Sequence, residues 1–288
     1  MKQDLKQELK TRKSIKTKNK IFIGLLLVAL FLPAVLLYPL WLEYQSSELQ
    51  RLMTKGVRQE SLGRAHEALE TYRLVLSAYP QQEEAVEALY RMARLWHFDL
   101  QDPQQALLKY LQIERDYSDS DKILVAREAA ARIVKVDLRD DMQAIAYYQR
   151  LINAHQGEQD HYLYEIADSY FRLENYPQAR IELENLLLQY PHSPLTADAL
   201  HRKATILVLE NRLDEAQQDW QRLAEEFPDS NYASRARFNL ANLLEEKGEL
   251  DLALEEYLKL ENYPRPLLLE QKIDHLTQRI DIRNEGTE

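Results

Sequence analysis

The chain has 288 residues, 45% of them hydrophobic and 29% charged, with only 6 Gly, 10 Pro and no Cys, and a formal net charge of −10. So few helix breakers among many Ala, Leu, Glu and Gln favour helix throughout. The absence of Cys excludes a lipidated-cysteine anchor, and the acidity excludes a body that binds nucleic acid.

Residues 1–20 hold eight basic and two acidic side chains, a local charge of +6. Residues 21–42, IFIGLLLVALFLPAVLLYPLWL, carry no charge at all; at about 1.5 Å per residue they reach about 33 Å, enough for a bilayer core. A buried core helix would need a polar face, which this stretch lacks. A cleaved signal would need a small-x-small site, and Tyr38-Pro39-Leu40-Trp41-Leu42-Glu43 offers none. The expected element is an uncleaved transmembrane anchor over 21–42, with Tyr38, Trp41 and Tyr44 at the far interface. Basic residues precede it, so the amino terminus is expected in the cytoplasm and the remainder across the membrane. That remainder holds 29 basic and 45 acidic residues, a net of −16, and should repel anionic headgroups.

From residue 46 onward an all-α pattern of helical hairpins takes over. A small residue in a first helix is followed by an Ala in a second: Gly56 and Ala68, Ala93 and Ala106, Ala131 and Ala144, Ala167 and Ala179, Ala204 and Ala216, Ala241 and Ala253. The spacing is twelve except in the pairs holding Ala106 and Ala144, where it is thirteen; those two units are expected to have a turn longer by one residue. An apolar residue follows each second-helix Ala four positions later: Tyr72, Tyr110, Tyr148, Leu183, Trp220 and Tyr257. The unit at 162–194 is the clearest. Leu163, Ile166, Ala167, Tyr170 and Leu173 form one stripe, Ala179, Leu183, Leu186 and Leu187 another, and Pro177 suits the first turn of the second helix.

This constellation resembles the tetratricopeptide repeat. Junctions such as Tyr190-Pro191-His192-Ser193-Pro194 and Phe227-Pro228-Asp229-Ser230 are similar to the bacterial envelope subtype found in outer-membrane assembly lipoproteins and Tol-associated proteins. The one-anchor layout is similar to that of single-pass, translocon-associated repeat proteins. The resemblance covers residues 46–264 and implies an α-solenoid of about six hairpins; 265–288 would supply a capping helix and a frayed end, with a detachable partner-binding helix as the alternative.

Catalytic and metal chemistry finds little support in the sequence. His66-Glu67-Ala68-Leu69-Glu70 lacks the second His of a zinc-peptidase helix, and Ala68 is a repeat anchor. His155 and His161 flank a polar loop, and the acidic pairs Glu83-Glu84, Glu225-Glu226 and Glu245-Glu246 read as solvent faces. No phosphate-binding or dinucleotide fingerprint occurs, so no catalytic residue, metal or cofactor is expected.

The resemblance instead implies a partner-binding groove lined by the first helices. Carried onto this chain, its positions include Tyr90, Arg94, His97, Arg132, Lys135, Tyr164, Asp168, His201 and Asn242. Arg94, Arg132 and Lys135 would form a basic strip able to clamp an acidic peptide; the alternative is a solvated surface paired with its own carboxylates such as Glu128. The expected function is a membrane-anchored scaffold for a protein or peptide partner on the periplasmic side of a bacterial inner membrane. The alternative is a periplasmic chaperone or translocon accessory that holds unfolded exported chains.

Overall fold

The computed structural model describes residues 37–39, 41–155, 157–260 and 263–285. The expected basic tail and all of the expected anchor before residue 37 lie outside the described residues; among those described, no helix is long and apolar enough to cross a membrane. The described residues form helices, turns and bends with no strand, and the chain divides into two compact units, Met1–Asp102 and Pro103–Glu288.

In the first unit, helix α1 (41–61) is followed by α2 (Ala65–Ala78) and α3 (Glu83–Arg94), which runs into a π-helical turn, Leu95–Asp99. Leu49 and Met53 of α1, Leu69, Tyr72 and Val75 of α2, and Met92 of α3 close one core. Gly56 faces the Tyr72 ring so closely that a Cβ there would come within 2.5 Å of it. A small residue at this position is therefore a packing requirement.

The second unit contains α4 (Pro103–Asp116), α5 (Ile123–Arg132) with a π-helical turn at Ile133–Asp137, α6 (Asp141–Asn153), α7 (Gln159–Arg172) and α8 (Tyr176–Gln189). It continues through α9 (Thr196–Leu209), α10 (Leu213–Glu226), α11 (Ala233–Glu246), α12 (Leu250–Leu258) and α13 (Pro266–Glu285). Each helix packs on the next, and the six second-helix Ala residues of the chain are all fully buried. Their aromatic or leucine companions four residues on are buried too, from 0% exposed at Tyr72 to 6% at Trp220. Each such side chain contributes about 1.5–3 kcal/mol by leaving water, so stability accumulates repeat by repeat rather than in one large centre.

The turns inside the hairpins share one construction. A residue with positive φ stands five positions before each anchor Ala: Gly63, Gln101, Arg139, Glu174, Asn211 and Gly248. In four units the next residue donates its N–H back five positions, as Asn175 does to Tyr170 O (2.9 Å) and Arg212 to Leu207 O (2.8 Å). In the two long units the bond reaches back six, from Asp102 to Trp96 O and from Asp140 to Val134 O. The extra residue that the sequence suggested would lengthen the turn is instead taken up in the helix end as a π turn. Helix starts are capped locally: Asp140 Oδ1 accepts the Gln143 N–H (2.9 Å) and Asn175 Oδ1 that of Gln178, with Pro177 in the first turn.

Aromatic junctions follow a similar rule. Ser120, Ser193 and Ser230 each donate their N–H to the carbonyl of the aromatic residue three before them. The Ser120 and Ser193 hydroxyls then accept from the N–H two residues on, a side-chain turn that starts the following helix. At the far end α13 buries Leu269 and Leu276. Glu245, expected on a solvent face, is in fact 12% exposed and receives Lys272 (3.0 Å) and Arg279 (2.7 Å) from α13, while Arg283 pairs with Asp251. Burial alone would raise the Glu245 carboxyl; Lys272 and Arg279 outweigh that and hold it below its ordinary value.

Candidate functional site

In the second unit the first helices α5, α7 and α9 are joined by a row of charges. The Lys135 ammonium, 4% exposed, donates to the Glu165 carboxylate and backbone oxygen and pairs with Asp168 Oδ2 at 2.7 Å. Asp168 in turn accepts from Arg202, whose guanidinium lies 5.3 Å from the Tyr164 ring centre and 5.5 Å from that of Phe171. Burial tends to raise the Asp168 carboxyl, but Lys135 and Arg202 overcome it and hold the group below the usual carboxylate range. The structure therefore brings Lys135, Asp168 and Tyr164 together around a residue the sequence reading passed over, Arg202. It stands two positions before Ala204 and is not among the groove residues named from the sequence.

Lys135 consequently does not line an open basic strip. It is a buried cation neutralised by two carboxylates, and a ligand would have to displace both. Arg132, one turn earlier, is exposed. It makes no ion pair among the described residues.

Arg132 borders a cavity of about 630 Å³ between α5, its π turn, α6 and α7. Leu124, Val136, Tyr148 and Tyr162 supply its apolar walls, and Glu128, Glu158, His161 and Glu165 its other polar groups. The Tyr162 hydroxyl donates to Glu128, and burial together with that carboxylate pushes the phenol well above its ordinary pKa. Gly157 closes this side with φ +68°; a Cβ there would collide with the Tyr162 hydroxyl and stand 2.9 Å from Glu128 Oε1. Glycine is thus needed both for the turn and for the approach of Glu128.

The remaining expected positions differ in their surroundings. His201 stacks on Tyr232 (4.9 Å between ring centres) with its Nδ1 buried and unpartnered among the described residues. Burial, then the nearby Arg235, push the imidazole below its ordinary pKa. Asn242 is engaged, its Oδ1 accepting from the Tyr257 hydroxyl at 2.7 Å. Tyr90, Arg94 and His97 belong to the first unit, where Arg94 is exposed and His97 lies against Phe98 at 4.3 Å. Among the described residues no group of three or more His, Asp or Glu could hold a metal ion.

A family model described as tetratricopeptide repeat matches residues 133–194, 164–231 and 201–265, three overlapping windows that run through the second unit. Residues 133–265 of the chain carry tetratricopeptide repeats. A tetratricopeptide repeat protein from Parabacteroides merdae superposes with a TM-score of 0.50 at 15% identity, covering 80% of this chain and 99% of its own. The C-terminal part of a TPR repeat-containing protein from Cytophaga hutchinsonii gives 0.50 at 14% identity, covering 72% and 77%. At such identities the likeness is one of fold. No curated protein matches the chain.

Proposed function

We propose that this tetratricopeptide repeat protein is a membrane-anchored scaffold whose repeats, on the periplasmic side of a bacterial inner membrane, gather a partner of an envelope-assembly or secretion complex. Proteins built from these repeats bind peptide or protein partners. The observation that carries the reading is the open cavity between α5, α6 and α7, with apolar walls and a charged border, a recess of the size that accepts a peptide side chain or two. Anchoring and orientation rest on the basic tail followed by 22 uncharged residues. Exposed Leu37, Tyr38, Trp41 and Tyr44 extend that apolar character into the described part of the first unit.

The deciding experiment is crosslinking in intact cells of the source organism, then isolation of the detergent-solubilised full chain and mass spectrometry. A stoichiometric envelope or secretion complex is expected. A broad set of unrelated exported polypeptides would replace the scaffold with a holding chaperone, and cytosolic partners alone would overturn the orientation.

A further inference from the structure

Residues 93–106 and 131–144, ARLWHFDLQDPQQA and ARIVKVDLRDDMQA, lie 38 apart and agree at seven of fourteen positions, among them Arg94 with Arg132 and Asp99 with Asp137. Both contain the π turn. In each, the turn presents an exposed apolar residue four after the Arg: Phe98 is 62% and Val136 59% exposed. In each, that pair borders a recess, about 160 Å³ at Arg94 and Phe98 and about 630 Å³ at Arg132 and Val136. A helical insertion that disturbs the regular ladder, repeated with the same side chains around it, is a surface feature rather than a packing accident.

The larger recess indicates what such a turn holds. Its apolar wall is Leu124 and Val136. Its lining holds Glu128 and Glu158, neither of which makes an ion pair among the described residues, and the Gly157 backbone next to Glu158 lies against Glu128, since a Cβ at Gly157 would stand 2.9 Å from Glu128 Oε1. Glu165 is engaged by Lys135, and Arg132 is the one Lys or Arg on the lining among the described residues. A carboxylate approaching Arg132 would meet the repulsion of Glu128 and Glu158; a backbone carbonyl would not. Resting on the scaffold reading, we propose that the π turn of α5 docks a partner segment that is basic and apolar. Its aliphatic side chain packs on Leu124 and Val136, its ammonium or guanidinium lies between Glu128 and Glu158, and a main-chain carbonyl accepts from Arg132. The π turn after α3, with Phe98, Arg94 and Asp99, is a second copy of the same element. This reverses the acidic partner that an open Lys135 would have implied.

The test is fluorescence anisotropy on the full chain with three labelled 12-residue Gly/Ser peptides carrying a central Leu-Lys-Leu, Leu-Glu-Leu or Ser-Lys-Ser. The Leu-Lys-Leu peptide is expected to bind at least about tenfold tighter than the others. Its affinity should fall about tenfold or more in Glu128→Gln/Glu158→Gln, a pair that removes both charges while leaving an amide oxygen to accept the Tyr162 hydroxyl. The same fall is expected in Val136→Asp, with thermal unfolding unchanged in both variants. Equal or better binding of Leu-Glu-Leu, no binding of any peptide, or indifference to the Glu128→Gln/Glu158→Gln change overturns the proposal. If crosslinking in cells captures the same stoichiometric partner with and without the glutamine pair, the docking chemistry is wrong and the scaffold stands. If neither captures a partner, the scaffold itself is wrong.

Discussion

Replacing Lys135 by Met keeps the length and apolar stem of the side chain and removes only the ammonium. Glu165 and Asp168, with side chains 22% and 20% exposed, then lose the cation they share. Deleting one partner of a buried pair costs about 3–5 kcal/mol. Asp168 keeps Arg202 and Glu165 keeps some access to water, so a loss of about 2–3 kcal/mol is expected. At this chain size each kcal/mol is worth about 2–4 °C, giving a fall in Tm of about 4–12 °C. Urea unfolding followed by tryptophan fluorescence and circular dichroism measures it. The double variant Lys135→Met/Glu165→Gln leaves Asp168 and Arg202 as a one-to-one pair and should recover at least half of the loss. The sign with pH follows from the Asp168 carboxyl, held below its unfolded value: its contribution is present above the ordinary carboxylate range and lost as pH falls from that range down through the lowered folded value. Lys135→Met should therefore flatten the acid limb of the stability profile. A loss under about 0.5 kcal/mol, or a double variant as unstable as the single, would refute the reasoning.

Four further outcomes can be checked, three by the same unfolding measurements and one by amide exchange. Gly56→Ala should destabilise the first unit by about 1–3 kcal/mol, because the new methyl meets the fully buried Tyr72 ring; a neutral result would mean that α1 shifts freely on α2. Glu174→Gly should stabilise by about 1 kcal/mol, since Glu174 holds φ +58° without a glycine's freedom. Between pH 7.5 and 5.5 the wild type should lose stability, because unfolding lets His201 take a proton that burial and Arg235 resist in the fold; His201→Gln should lessen that slope. Glu245→Gln removes the carboxylate shared by Lys272 and Arg279. Amide exchange in α13 should then rise while that in α7 and α8 stays unchanged.

The repeat framework was legible from residue types alone. A small side chain and an Ala at fixed spacing demand close helix approach, and every anchor from Ala68 to Ala253 is fully buried. Pro177 likewise announced a helix start, and the cap found there is Asn175. The side-chain partners were not legible, for a physical reason. Lys135 meets Asp168 across 33 positions and Arg202 meets Asp168 across 34, so their pairing depends on how neighbouring helices cross. A lysine at a groove position looks solvent-facing until the carboxylates of α7 are seen to cover it. Glu245 misled in the same way, since its cationic partners Lys272 and Arg279 both come from α13. The spacing of thirteen signalled an insertion, but not whether the helix or the turn would absorb it.

The constant step of five residues from each positive-φ residue to the following Ala has a consequence for how such a chain can change length. An added residue turns everything after it by about 100° around the helix axis, and in an ordinary helix that error would carry the next apolar stripe out of the core. Here the π turn absorbs it within the end of the first helix, so the turn that follows starts in the usual phase, with Ala106 and Ala144 as deeply seated as Ala179. The π turn works as a phase reset. Single-residue insertions upstream of it can accumulate at helix ends, where they reshape the surface, while the spacing of the buried layers stays in step.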